Sequence, residues 1–105
     1  MDQIRLYTLR TAQALATYAG VHWPRHVASM PGFGATVRGF WIDRTTDAHR
    51  LVALLSFTDG VEPDEFTAAY VASPAFAADM QGFDLDDIVA VEELRLDPVA
   101  GSPSG

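Results

Sequence analysis

The chain contains no cysteine, so disulfide bonds, thiolate metal sites, iron–sulfur clusters and cysteine nucleophiles are all excluded. Basic residues are also scarce, because 7 lysines and arginines stand against 14 aspartates and glutamates and leave a formal net charge of −7. No cluster of lysine or arginine offers phosphate groups a binding surface. We therefore do not expect a nucleic-acid partner.

Long hydrophobic runs are absent as well. The longest purely apolar stretch, Leu51 to Leu55, is far shorter than the roughly 20 residues that a membrane-spanning helix needs. The first five residues, MDQIR, lack the basic and then apolar pattern of a signal peptide. We therefore expect a cytoplasmic protein without a membrane partner.

What the sequence has in quantity is apolar side chains. Of its 105 residues, 49% are hydrophobic and 10% are aromatic, enough to build one core. We expect a single domain over residues 1–97. The remaining residues, 98–105, have little to bury and are expected to form a flexible tail.

Hydrophobic periodicity predicts six main elements in the order strand, helix, strand, strand, helix, strand. Pro24 removes a backbone donor from the first helix, so we expect a kink or two helical pieces around Gly20 to Pro24. The order predicts an α+β, ferredoxin-like βαββαβ fold with a four-stranded antiparallel sheet and its helices on one face. The predicted ranges are 4–10, 11–30, 33–43, 49–58, 63–80 (with a second helical start at 73) and 84–96.

The other face of this sheet also needs a cover. Residues 51–55 and 88–91 are continuous apolar runs, whereas a sheet with one wet face alternates apolar and polar residues. A second copy of the chain is the economical cover, so we expect a homodimer. The alternative is a tightly wound core with a modestly exposed apolar strand.

Five short segments of the chain carry a resemblance to a known family. They are YTLR at 7–10, WPRH at 23–26, GFW at 39–41, FTD at 57–59 and SPAF at 73–76. Together they resemble the NIPSNAP-like family, and the similarity extends over most of residues 4–96. The resemblance implies a dimeric α+β barrel, in which two ferredoxin-like subunits bring their sheets together. The superfamily includes cofactor-independent monooxygenases, lactone isomerases, polyketide cyclases and haem enzymes, so the fold leaves the function open.

His22 and His26 are the first catalytic candidates. They are one helical turn apart and lie next to aromatic residues, so either could exchange a proton with a bound phenol, enol or lactone. The alternative is a partly buried histidine bonded to backbone near Pro24. A metal site completed by Asp79 is a weaker possibility because no HExxH motif is present.

Arg38 is the third catalytic candidate, as a group that could polarise a carboxylate or a developing oxyanion. Strand alternation predicts that it lies on the face opposite Trp41. Its alternative role is a salt bridge to Glu92 or Glu93 in the last strand. The candidate substrate-binding residues are the aromatic side chains that could either line a cavity or fill the core, namely Tyr7, Tyr18, Trp23, Trp41, Phe66 and Tyr70.

The sequence thus favours a homodimer that binds an apolar or aromatic small molecule. It could act as a cofactor-independent oxygenase, isomerase or cyclase of secondary metabolism, with no cofactor of its own. A non-catalytic ligand carrier or an assembly partner of a biosynthetic enzyme is the first alternative. A haem or metal-binding protein is the second.

Overall fold

The computed structural model describes residues 1–103; Ser104 and Gly105, the end of the predicted flexible tail, lie outside the described residues. The helical elements of this part of the chain are α1, a π-helical turn, α2, a 3-10 turn, α3, α4 and a second 3-10 turn. The strands are β1 (Asp2–Leu9), β2 (Ala35–Ile42), β3 (His49–Phe57) and β4 (Ile88–Leu96). The helical segments are α1 (Ala12–Thr17), the π turn (Tyr18–His22), α2 (Trp23–Ser29), the first 3-10 turn (Met30–Phe33), α3 (Pro63–Val71), α4 (Pro74–Asp79) and the second 3-10 turn (Leu85–Asp87).

The four strands form one antiparallel sheet in the order β2-β3-β1-β4. Helices cover one of its faces, as the contacts of Tyr7 with Tyr18 and of Phe57 with Phe66 show. This arrangement confirms the predicted α+β, ferredoxin-like fold. None of the helices described for residues 1–103 has the length and apolar character that crossing a bilayer requires.

Local sequence signals fix where the helices begin. The Thr11 hydroxyl accepts a hydrogen bond from the backbone N–H of Ala14 at 3.0 Å and caps α1. At α4 the Ser73 hydroxyl caps in the same way, with proline as the first helical residue, as the sequence predicts. These caps set the ends of the segments that surround the cavity described below.

The first predicted helix is interrupted where its proline lies, but by a widened turn. Pro24 has no backbone N–H to donate to Gly20, and the N–H of Trp23 instead bonds to the carbonyl of Tyr18, five residues earlier. The π turn contains one residue more than an α-helical turn, so the side chains of α2 point in a different direction relative to those of α1. Tyr18, Trp23 and His26 consequently contact one another.

Two details of the strands differ from the predictions. β4 begins at Ile88, because the Asp84 carboxylate accepts a hydrogen bond from the N–H of Asp86 at 2.9 Å and caps a 3-10 turn. In β2 the register shifts between Val37 and Gly39. This bulge interrupts the alternation of side chains, so Arg38 shares a face with Trp41, contrary to prediction.

The side chains of β3 show how the two faces of the sheet differ. Leu51, Ala53 and Leu55 are fully buried beneath the helices. Val52 and Leu54 are half-buried on the other face. The apolar part of that second face, called the outer face below, consists of Ile4, Leu6, Trp41, Val52, Leu54 and Leu94.

Candidate ligand cavity

A cavity of about 200 Å³ lies between the helix-covered face of the sheet and the helices α2, α3 and α4. Its volume falls below the roughly 300–1,000 Å³ of pockets for drug-sized ligands, and slightly above a cavity of roughly 150 Å³ that holds benzene. The size therefore suits a molecule of about one ring. Val71 and Val91 lie at its mouth between α3 and β4, with 51% and 49% of their surfaces exposed.

The walls of the cavity are mainly apolar and aromatic, with a few polar atoms. Four of the six predicted substrate-binding aromatics line it, Tyr7, Tyr18, Trp23 and Tyr70, and so does His26. Residues that were predicted from the sequence pattern therefore form most of one wall of the cavity. The remaining lining residues are Arg5, Met30, Thr67, Val71, Phe76, Met80, Ile88, Val91 and Glu93.

A chain of two short hydrogen bonds ends at the cavity. The Tyr70 hydroxyl donates to Asp79 Oδ2 at 2.5 Å. Its oxygen also lies 2.5 Å from Nδ1 of His26. Because the single phenolic proton of Tyr70 is already directed to the carboxylate, Nδ1 must be the donor in the second bond. We call these three residues, His26, Tyr70 and Asp79, the relay.

This arrangement fixes the chemical state of His26. With the proton on Nδ1, its other nitrogen, Nε2, carries a lone pair and can accept a proton or hydrogen bond. Burial lowers the pKa of His26 to about 4, although the nearby Asp79 carboxylate opposes the shift. The ring is therefore neutral near pH 7. Phe76 stacks on it with an interplanar angle of 4° and holds its orientation.

The three tyrosines of the cavity are hydrogen-bond donors. Burial raises the pKa of Tyr7 and Tyr18, and burial together with the bond to Asp79 raises the pKa of Tyr70. None of them ionises near neutral pH. The cavity thus presents phenol hydroxyls and one neutral imidazole within an apolar wall.

Trp23 adds a further unused donor. Its side chain is fully buried and lines the cavity, yet its indole N–H has no hydrogen-bond partner among residues 1–103. The Tyr18 hydroxyl lies near enough for the indole to lower its pKa slightly, but the two do not form a complete hydrogen bond. Buried donors without partners are rare and costly, but this nitrogen has almost no accessible surface and is not exposed to the cavity.

His22 has a different position from His26. Its Nδ1 lies 2.7 Å from the backbone carbonyl oxygen of Asp79, and Arg25 donates to the same oxygen at 3.2 Å. The ring is buried against Phe83 and does not line the cavity. His22 therefore anchors the end of α4 to the π turn.

The other predicted site residues also lie outside the cavity. Arg38 donates to the Ser56 hydroxyl at 3.2 Å on the outer face. The predicted salt bridge to Glu92 or Glu93 is wrong, because β2 and β4 are opposite edges of the sheet. Trp41 lies on the outer face, and Phe66 packs in the core between Phe57 and Tyr70.

The side chains that could hold a metal are already engaged. No group of three histidine, aspartate or glutamate side chains is arranged for metal binding within residues 1–103. In the predicted set, Asp79 accepts from Tyr70, and Nδ1 of His22 pairs with a backbone carbonyl. This donor set therefore does not favour a metal centre.

Sequence reasoning missed Arg5 and its hydrogen-bond partner Thr67, both of which line the cavity. A signal was present, since Arg5 shares the inward face of β1 with Tyr7 and Leu9 by simple alternation. Asp79 was considered only as a metal ligand. Its pairing with Tyr70 depends on the packing of α3 against α4, which no local pattern reveals.

Comparisons with known proteins identify the fold. No family model and no curated protein sequence matches the chain. A NIPSNAP domain protein from Burkholderia xenovorans superposes with a TM-score of 0.75 at 18% identity, covering 97% of each chain. A NIPSNAP family protein from Agrobacterium tumefaciens gives 0.72 at 14% identity, covering 97% of this chain and 95% of that one. A second NIPSNAP-like domain protein from Burkholderia xenovorans gives 0.69 at 21% identity, covering 97% and 87%. The resemblance is confirmed at the level of the fold.

Proposed function

We propose that the chain binds a small ring-containing molecule in its cavity and transfers a proton on it without a cofactor, as an isomerase or cyclase does. The observation that carries this proposal is the relay, which places a neutral histidine with a free lone pair at the wall of an apolar cavity. Proton transfer within a desolvated site requires a base in the correct tautomer, and the relay fixes that tautomer.

The relay also explains how a buried histidine of low pKa can act as a base. As Nε2 of His26 takes a proton from the ligand, the ligand gains a negative charge and the imidazole becomes a cation. The Tyr70 hydroxyl bonded to Nδ1 and the Asp79 carboxylate, whose Oδ2 lies 3.6 Å from Nδ1, stabilise that cation. Return of the proton to a different ligand atom completes an isomerisation.

A ligand carrier is the second candidate function. Its support is the pKa of His26 of about 4, because a ring that resists protonation can accept a hydrogen bond from a ligand without taking the proton. The phenol donors of Tyr7 and Tyr18 together with one acceptor could recognise a ligand without changing it. The cytoplasmic location and the role in secondary metabolism remain predictions from the sequence.

Closing the mouth of the cavity tests ligand binding directly. Val71 is 51% exposed at the mouth, so Val71→Trp should fold normally and block entry. Wild-type protein incubated with a metabolite extract should retain a small molecule detectable by mass spectrometry, and the variant should retain at least tenfold less, about 1.4 kcal/mol of binding energy. Val27→Trp, on the exposed side of α2, is the matched control. Equal retention by Val71→Trp and wild type would contradict a ligand site in this cavity.

We further propose that the chain is a homodimer joined through its outer face. Two of the apolar side chains there, Trp41 and Leu94, have 54% and 50% of their surfaces exposed in the protomer. The Trp41 indole covers Gly39, where an added Cβ would stand 2.6 Å from the ring. Contiguous apolar surface of this kind usually marks an interface.

Dimerisation is tested by placing a charge on the outer face. Leu94→Glu is expected to convert a dimer into a monomer, since an unpaired charge would be buried between two sheets. Light scattering after size-exclusion chromatography measures the mass, with Val27→Glu as the matched control that stays dimeric. A monomeric wild type at every concentration would contradict the proposal, and so would a dimeric Leu94→Glu.

A further inference from the structure

Arg5 is a buried cation without a carboxylate partner. Its side chain is 5% exposed, and within residues 1–103 no aspartate or glutamate oxygen lies within 4.0 Å of its guanidinium. Two of its N–H groups are used, by Gln3 Oε1 at 2.7 Å and by the Thr67 hydroxyl at 2.8 Å. The guanidinium also lies 5.7 Å from the centre of the Phe66 ring. Burying an arginine without a paired anion is costly, so an observed case suggests a ligand.

The neighbouring carboxylate in the sheet, that of Glu93, is hydrogen-bonded to Gln3 rather than to Arg5. Glu93 is the cross-strand neighbour of Arg5 in the sheet. Its carboxylate accepts a hydrogen bond from the Gln3 amide at 3.0 Å, and it is exposed at the cavity mouth. Gln3 therefore separates the two charges and holds the guanidinium through Nε. The Tyr7 hydroxyl also lies close enough for Arg5 to oppose the rise in its pKa. Within residues 1–103 Arg5 makes no hydrogen bond other than those to Gln3 and Thr67, so N–H groups remain for the cavity that it lines.

We propose that Arg5 binds an anionic oxygen group on the cavity ligand, so that the ligand is a single-ring carboxylate. This inference rests on the proposed function, because it assumes that the cavity is a ligand site. A planar guanidinium pairs with a carboxylate through two parallel hydrogen bonds. The aromatic wall accommodates the ring, and His26 and Tyr70 of the relay line the same cavity.

Matched acids and amides of one ring test this inference. The probes are benzoate, phenylacetate and salicylate, each compared with its neutral carboxamide by isothermal titration calorimetry. Wild-type protein is expected to bind at least one acid roughly thirtyfold or more tightly than its amide, as for loss of one partner of a buried charge pair. The chain has two tryptophans, so fluorescence in a Trp41→Phe background reports on Trp23 in the cavity.

Variants then identify the residue responsible for the preference. Arg5→Met keeps the length of the side chain and removes the charge, and it should bind acid and amide equally. Arg5→Lys should retain part of the preference, because lysine keeps the charge without the bidentate geometry. Arg10→Met is the control, since Arg10 lies outside the cavity and pairs with Asp87. If Arg5→Met does not fold, the preference for acid over amide is compared between wild-type protein and Thr67→Val. Thr67→Val removes one of the two hydrogen-bond acceptors that hold the Arg5 guanidinium, so it should lower the preference. An unchanged preference would overturn the inference.

The outcomes separate this inference from the proposed function. If wild type binds acids and amides equally and Val71→Trp abolishes both, the inference is overturned and the ligand cavity stands. If acids are preferred equally in wild type and in Arg5→Met, Arg5 is not the recognition residue and the inference is overturned. If no probe binds but wild type retains a metabolite that Val71→Trp does not, the inference is overturned and the ligand cavity stands. If no probe binds and the two proteins retain metabolite equally, both are overturned.

Discussion

The His26→Asn variant is expected to bind the cavity ligand but to convert it at least about a hundredfold more slowly than wild-type protein, since a general base contributes roughly 10²–10⁴-fold to a rate. The asparagine amide can still donate to Tyr70 as Nδ1 does, so the relay keeps this hydrogen bond. Nothing replaces Nε2 as the acceptor. Single-turnover conversion of the retained ligand, followed by mass spectrometry, measures the effect.

The control for this substitution is His49→Asn. His49 begins β3 and does not line the cavity of the relay, so this variant should convert ligand at the wild-type rate. Wild-type conversion by His26→Asn would show that His26 is not the base. If wild-type protein itself returns the ligand unchanged, the carrier is the correct function.

The same substitution tests the pKa of His26 without any substrate. Burial lowers this pKa from 6.5 to about 4 on folding. The unfolded chain therefore binds the proton more readily between these values, so stability from neutral His26 is present at neutral pH and is lost as the pH falls toward 4. Between pH 7 and pH 5 wild type should lose about 2 kcal/mol more in free energy of unfolding than His26→Asn. Urea denaturation at both pH values measures the difference, and equal losses would contradict a lowered pKa.

Most of the fold could be predicted because its signals are local. The βαββαβ order and the start of α4 at Ser73 and Pro74 follow from periodicity and capping. The bulge at Arg38 could not be predicted, because register depends on the partner strand and alternation within one strand does not reveal an extra residue. Proline in the first helix signalled a disturbance, but not that a π turn would absorb it.

The same distinction between local signals and tertiary packing applies to the candidate site. Tyr18, Trp23 and His26 share a helical face in the sequence and share the cavity wall in the structure. The relay joins His26 to residues 44 and 53 positions further along the chain, and this pairing arises only from tertiary packing. Arg5 was overlooked because a charged residue within a strand normally indicates a solvated face, whereas here its inward position buries it.

The Tyr70→Phe variant is expected to lose about 2–4 kcal/mol in free energy of unfolding, because it leaves a buried carboxylate and a buried imidazole N–H without their shared partner. It is also expected to raise the pKa of His26. Asp79 Oδ2 lies 3.6 Å from Nδ1 of His26, so without the tyrosine hydroxyl the carboxylate turns to the imidazole as its donor. An opposite charge at that distance favours the protonated ring.

Tyr18→Phe is the matched control, because Tyr18 lines the same cavity and its hydroxyl takes no part in the relay. It should cost less than about 1 kcal/mol and leave the pKa of His26 near 4. Denaturant unfolding and an NMR titration of the histidine rings measure both quantities. With three histidines in the chain, the His26 signal is assigned from the His26→Asn spectrum. Equal behaviour of the two phenylalanine variants would mean that Tyr70 does not couple His26 to Asp79, and the relay could then not stabilise a protonated His26.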